Sequence, residues 1–242
     1  GTYVLRPDLH ATLHPRYVDH GIELLEEKPD VTAVGGALRT KSSGFWGDII
    51  AQALSSKIGV GGSPFRTNTK DGVVDTVAYG IYRKLIFNDA GFFNENLKRH
   101  QDNDMHDRIK SAGGQFYLLN KMQANYYCRD SIKSLCIQMF QNGFYLTKLS
   151  MNKLSLRHGM PLLFFLSLTL LYIVTKLMNQ FELAPSIILG AYFLIIGSYS
   201  VVVSLKKFNL KYGVLLLVIP LMHLSYAFGM FFGWINRLHS AI

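Results

Sequence analysis

The sequence predicts an α/β domain followed by an α-helical membrane region, and three observations carry that reading. Short apolar runs of β character alternate with helical runs over roughly the first half of the chain, the pattern of a sheet layered with helices. Nearly all the charge falls in residues 1–158. Beyond it, three long uncharged runs follow one another.

The first apolar run, 2–5, reads as a strand that ends at Arg6-Pro7-Asp8-Leu9-His10. Pro15 opens a helix to about Glu27, with Val18, Ile22 and Leu25 near one face and Pro29-Asp30 closing it. Residues 31–38 read as the next strand, 44–57 as a helix and 59–66 as a glycine-rich turn. Residues 73–83 alternate towards a strand, and 88–95 read as a loop. A helix over 102–112 is stopped by Gly113-Gly114, and 116–119 form a last strand. Ligand sites in such a sheet gather at the carboxyl ends of its strands. Residues 131–150 read as a further helix, with Ile132, Leu135, Met139 and Leu146 roughly on one face. That pattern suits a helix lying on a bilayer surface and a helix packed on the soluble domain equally well.

The uncharged runs are 160–175, 183–205 and 212–236. Crossing the hydrocarbon takes about 20 apolar residues, with about 17 as the lower limit. The second and third runs pass, and the first passes with help from its neighbours. None carries the polar stripe of a soluble core helix. Three regions follow: 1–130, the soluble domain; 131–158, a helical interfacial segment; and 159–242, about three spans. Lys206, Lys207 and Lys211 lie between the second and third spans, and Lys148, Lys153 and Arg157 precede the first. The positive-inside rule therefore places the soluble domain on the cytoplasmic face of the inner membrane. His223 sits inside the third run, where a polar side chain is expected to be satisfied by packing.

The formal charge of +9 points to anionic lipid or phosphorylated substrate. No dense basic block is interleaved with aromatics, so nucleic acid is excluded as a partner. Two cysteines, Cys128 and Cys136, make neither a disulfide framework nor a zinc pattern.

Asp8-Leu9-His10 follows a strand end, where a carboxylate and an imidazole can face one crevice and hold Mg²⁺ or Mn²⁺. Taken alone, the same spacing suits an ordinary loop. Gln101-Asp102-Asn103-Asp104 opens a helix. Its carboxylates can cap the free amides, or one can act as a general base. Gly61 and Gly62 with Arg66 form either a flexible turn or a backbone cradle with a cation for phosphate. The Lys-Ser/Thr of a P-loop is lacking, which excludes nucleotide hydrolysis of that kind.

Taken together, the segments resemble family-2 glycosyltransferases, and within them the bacterial exopolysaccharide subfamily of succinoglycan-pathway glucosyltransferases. The matching stretches begin with Arg6-Pro7-Asp8-Leu9-His10-Ala11, Gly59-Val60-Gly61-Gly62-Ser63-Pro64-Phe65-Arg66 and Val74-Asp75-Thr76-Val77-Ala78-Tyr79-Gly80. Gly91-Phe92-Phe93-Asn94-Glu95, Arg99-His100-Gln101-Asp102-Asn103-Asp104, and Arg108 with Ala112-Gly113-Gly114 continue the match. Residues 138–143 and 223–229 complete it. The resemblance implies a partial GT-A, Rossmann-like domain, a nucleotide-diphospho-sugar donor (UDP-sugar above all) and inversion in a single displacement. It implies a lipid-linked or polysaccharide acceptor in exopolysaccharide biosynthesis, with membrane lipids as further partners. Asp8 and His10 then fall on the metal-binding Asp-x-Asp position and Asp102 on the catalytic base. Gly61, Gly62, Arg66, Asp75, Gln101, Asp104 and Gln138 fall on substrate-binding positions. The Gln-x-x-Arg-Trp motif of processive synthases is missing after Gln138, which speaks against polymer translocation. The family's first, nucleobase-binding strands would precede Gly1, so this stretch by itself is expected to be inactive.

Two other readings fit parts of the chain. One is a non-catalytic membrane or export module with a degenerate cytosolic domain. The other is a metal hydrolase, which needs a third protein ligand such as His14 or His100.

Overall fold

The computed structural model describes residues 1–8, 11–67, 70–149 and 156–239. Its contacts divide the chain into two compact units, Gly1–Ser42 with Leu54–Cys128, and Ser43–Ala53 with Arg129–Ile242. Neither unit is one continuous stretch of sequence.

The first unit starts with β1 (Tyr3–Leu5), β2 (Ala11–Leu13), α1 (Tyr17–Glu27) and β3 (Val31–Lys41). The chain leaves through α2 (Gly44–Leu54), almost all of which belongs to the second unit. It returns as α3 (Lys57–Val60), α4 (Pro64–Thr67), β4 (Gly72–Val74), β5 (Ile81–Arg83), α5 (Ile86–Ala90), α6 (Gln101–Ser111) and β6 (Gln115–Tyr127). The strands make a mixed sheet in the order β1-β5-β3-β6-β2, with β4 also on β6. Only β3 and β6 run parallel; β1 with β5, β5 with β3, and β2 and β4 with β6 are antiparallel. The expected α/β layering is present.

Several elements depart from the sequence reading: short helices fall where a glycine-rich turn and a loop were expected, and three strand regions differ. The last strand runs on from Leu119 to Tyr127. Asn120 and Lys121 interrupt its apolar pattern because they sit in a bulge, where pairing jumps from Gly36↔Leu119 to Ala37↔Gln123. A Cβ at Gly36 would lie 1.6 Å from the Met122 carbonyl oxygen, so the bulge needs a glycine opposite it. Residues 73–83 split into β4 and β5, because Tyr79 adopts a left-handed φ of 51° between them. The buried Tyr17 hydroxyl holds that turn, donating to the Tyr79 carbonyl (3.0 Å) and accepting from Gly36 N–H (3.2 Å). The short β2 has too few residues for its alternation to be read.

The core of this unit gathers Met105 and Ile109 of α6 with Ala33, Tyr82, Phe87 and Phe116. Full burial of a side chain such as Met105 or Ile109 contributes about 1.5–3 kcal/mol. That burial fixes the inner face of α6 and leaves its first turn at the surface.

The second unit adds α7 (Ile132–Leu146), α8 (Leu156–Met178), α9 (Ala184–Lys206) and α10 (Leu215–His239), with a 3₁₀ turn at Leu210–Val214 before α10. Among the described residues, three helices are long and apolar enough to cross a membrane: His158–Met178, Ala184–Lys206 and Leu210–His239. α7 lies along α10. A Cβ on Gly143 would be 2.1 Å from the Tyr226 carbonyl oxygen, and one on Gly229 would be 2.0 Å from that of Phe140. Small residues let the two backbones touch. Arg237 closes the pair, donating to the carbonyls of Thr147 (2.8 Å) and Leu149 (3.0 Å). The helix expected over 131–150 thus has a membrane-length helix as its neighbour, touched through Phe140, Gly143 and Thr147. His223 is satisfied as expected, with its Nδ1 2.9 Å from the Tyr192 hydroxyl.

Candidate active site

The site is built at the carboxyl end of β1, where Arg6 and Asp8 leave the sheet beside the first turn of α6. Arg6 is anchored by its own backbone, N–H to the Gly80 carbonyl at 3.2 Å. Its guanidinium lies 4.7 Å over the Phe93 ring. From there it pairs with the Asp102 carboxylate and donates to Gln101 Oε1 at 2.8 Å. Neither carboxylate of the first turn caps the helix. Asp102 faces Arg6, whereas Asp104 binds Arg108 at 2.8 Å. Arg108 also donates to the carbonyls of Ala90 and Phe92, so Asp104 ties α6 to the loop after α5.

Asp102 keeps 42% of its side-chain surface open, enough for a substrate hydroxyl to reach it. Desolvation by burial holds its carboxyl above the usual carboxylate range. The Asp8 charge adds to the rise, and Arg6 opposes it. A carboxylate displaced upward is closer to the basicity a proton acceptor needs near neutral pH. The same charges reach Tyr79, whose phenol is raised by burial first and by Asp8 next, while Arg66 lowers it. Asp8, Asp102, Tyr79 and Arg66 therefore share one electrostatic neighbourhood.

Arg66 lies on α4, with its guanidinium 4.5 Å over the Tyr126 ring. Its buried Nη1 has no hydrogen-bond partner among the described residues. A desolvated cationic donor of this kind suits an anionic oxygen such as a phosphate's. Gly61 and Gly62 precede it on an exposed turn, with open space around both. Asp75 is exposed beyond β4. Gln138 is half-buried on α7, in the second unit. His10 lies outside the described residues.

Beneath the site sits a group the sequence reading did not single out. His106 is 1% exposed on the inner face of α6. Its Nδ1 meets the Thr76 hydroxyl at 2.7 Å and its Nε2 the Tyr82 hydroxyl at 2.8 Å. Burial, then Lys110 and Arg6, push its pKa down to about 3, so the ring is neutral. One ring nitrogen donates and the other accepts. These bonds join the catalytic-helix candidate to β5 and to the loop after β4. Arg6, Phe93 and Tyr79 were also unassigned in the sequence, although each lies inside a motif quoted above.

For a divalent ion, the donor set is carboxylate-based. Asp8 is its described member, and its negative potential, felt at Tyr79 and Asp102, is what a cation would offset. Mg²⁺ or Mn²⁺ bound through one or two protein ligands completes its shell with substrate phosphates and water, so Asp8 fits that role. Among the described residues no three His, Cys, Asp or Glu side chains converge. His14 bonds Arg16 N–H at 3.3 Å and His100 meets Asn103 at 3.0 Å.

No family model matches the chain. It is similar to the succinoglycan biosynthesis protein ExoA of Rhizobium meliloti (strain 1021), with 26% identity over 146 residues. That match covers 58% of this chain and 42% of the length of ExoA. The resemblance drawn from the motifs to proteins of the succinoglycan pathway is supported by this similarity.

Proposed function

We propose that the protein is a membrane-bound inverting glycosyltransferase of family 2. It would move a hexose from a nucleotide-diphospho-sugar to a lipid-linked or polysaccharide acceptor in exopolysaccharide biosynthesis. The observation that carries this reading is the pairing of Arg6 with Asp102, 96 positions apart in sequence, with the Asp8 charge near enough to raise the Asp102 carboxyl. Similarity to a succinoglycan biosynthesis protein supports the pathway class, and three membrane-length helices support the location. The lysines of the turn between α9 and α10 favour a cytoplasmic catalytic unit at the inner membrane, by the positive-inside rule.

In the reaction, Asp102 takes the proton of the acceptor hydroxyl as its oxygen attacks the anomeric carbon. The bond from that carbon to the diphosphate breaks, and the nucleoside diphosphate leaves with the electron pair. Attack opposite the leaving group inverts the carbon. Arg6 orients the Asp102 carboxylate, and the Arg66 guanidinium, unpartnered among the described residues at its buried Nη1, supplies positive charge for a donor phosphate. Mn²⁺ or Mg²⁺ held by Asp8 and His10 would supply charge neutralisation at the diphosphate.

Membranes containing the full-length protein, given UDP-sugars and Mn²⁺ or Mg²⁺, are expected to consume donor and label a lipid-extractable or polymeric acceptor. EDTA is expected to stop the reaction. Unchanged donor across a panel of nucleotide-sugars, with either cation and native membrane lipid present, would remove the transferase reading.

A further inference from the structure

α2 interrupts the soluble stretch of sequence but packs with the membrane helices, and it exposes two large aromatic side chains. Phe45 is 49% and Trp46 41% exposed, and their rings meet edge to face at 5.2 Å. One turn further along, Asp48 accepts from Lys211 Nζ at 2.6 Å. One turn beyond that, Gln52 donates to the Tyr199 hydroxyl of α9 at 2.8 Å. Asp48 and Gln52, four residues apart, lie on one helix face. That face ties α2 to α9 and to the turn before α10.

The turn itself has a similar character. Between Lys206 and Lys211 it carries Phe208, 97% exposed, and Leu210, 90% exposed. Lys207 and Lys211 lie over the Tyr212 ring, at 4.9 and 5.4 Å. Exposed apolar side chains among lysines suit the boundary between headgroups and acyl chains. A turn joining two consecutive spans must emerge at the bilayer surface. Asp48 bonds to that turn directly, so α2 sits at the same level. Phe45 and Trp46 lie within about one helical turn, roughly 5 Å, of Asp48.

We propose that α2 is an interfacial helix. Phe45 and Trp46, together with Phe208 and Leu210, enter the headgroup boundary of the leaflet, and Lys206 and Lys207 meet lipid phosphates. The occupant of this surface is the phospholipid bilayer itself. The inference rests on the membrane placement proposed above and is independent of the sugar-transfer chemistry. Its consequence is a second covalent tether, since the chain passes from the first unit into α2 and back again.

The chain has two tryptophans, so Trp234→Phe leaves Trp46 as sole reporter. The variant is reconstituted into phosphatidylcholine–phosphatidylglycerol vesicles carrying bromines shallow (6,7) or deep (11,12) on the acyl chain. Trp46 is expected to be blue-shifted and shielded from acrylamide. Shallow bromines should quench it about twice as strongly as deep ones, as for a ring about 5–10 Å below the headgroup boundary. Asp48→Asn, which weakens the tie to Lys211, should reduce that quenching. If the variant misfolds, the difference between wild-type and Trp46→Phe emission gives the same signal. Protein that floats with vesicles while Trp46 is open to acrylamide and unquenched by either lipid overturns the proposal. Protein that fails to float overturns the membrane placement with it.

Discussion

The first turn of α6 and the seam between α7 and α10 are both close meetings of two elements, but they are held by different physics. At α6, position is set by polar bonds that run from the core to the surface: Thr76 and Tyr82 to His106, Arg6 to Asp102, and Asp104 to Arg108. At the seam, backbones touch through Gly143 and Gly229, and Arg237 adds bonds to the Thr147 and Leu149 carbonyls at one end. The polar network leaves one side chain, Asp102, part-open and electrically displaced. The glycine seam buries both Gly143 and Gly229. A part-open, electrically displaced carboxylate goes with the first arrangement and close backbone contact with the second.

Substituting Gly229 with leucine should give the largest effect. Its Cβ would overlap the Phe140 backbone, which cannot rotate away as a side chain would. Loss of about 3 kcal/mol or more is expected, at the upper end of overpacking. Hydrogen exchange in α7 should rise by 100-fold or more, since about 1.4 kcal/mol is a factor of ten. Exchange in α6 should stay unchanged, which would separate the two regions.

His106→Ala comes next, at about 2–3 kcal/mol, because it leaves the buried Tyr82 hydroxyl and the part-buried Thr76 hydroxyl without their partner. The pH dependence has a definite sign. The folded ring titrates near 3, against an ordinary 6.5, so the unfolded chain binds the proton first. Stability from a neutral His106 is therefore present above about 6.5 and is lost progressively as pH falls towards 3. Denaturant unfolding of the first unit at several pH values should show that slope in the native protein and a shallower one in the variant. Equal slopes would remove His106 from the network.

Arg6→Gln should give the smallest effect. Arg6 lowers the Asp102 carboxyl against the desolvation that raises it, so its removal lets that carboxyl rise further. The acid limb of the pH–rate profile should move to higher pH. On the alkaline plateau, turnover should change by less than about tenfold, well short of the 10²–10⁴ expected for a lost base. An unmoved acid limb would mean that Arg6 does not govern Asp102.

Much of this was readable from local patterns. Asp8 follows a strand and Asp102 opens a helix, and both signals are contained within a few residues. The three membrane-length helices were equally plain, since a run without charge needs no partner to be recognised. What was hidden depends on residues distant in sequence. Nothing near Arg6 announces a carboxylate 96 positions away. The continuation of β6 past Leu119 was masked by its bulge, and α2 looked like any helix of the soluble stretch until Asp48 and Gln52 met Lys211 and Tyr199. His106 lacked any flanking motif, because a buried, satisfied imidazole is defined by its partners alone.

The central claim is that Asp102 is the proton acceptor of a sugar transfer, and Asp102→Asn in native membranes tests it most directly. Turnover with the active UDP-sugar should fall by about 10²–10⁴, the contribution of a general base. Donor binding, measured by equilibrium dialysis of the labelled nucleotide-sugar, should change little. Near-normal turnover in the variant would contradict the account.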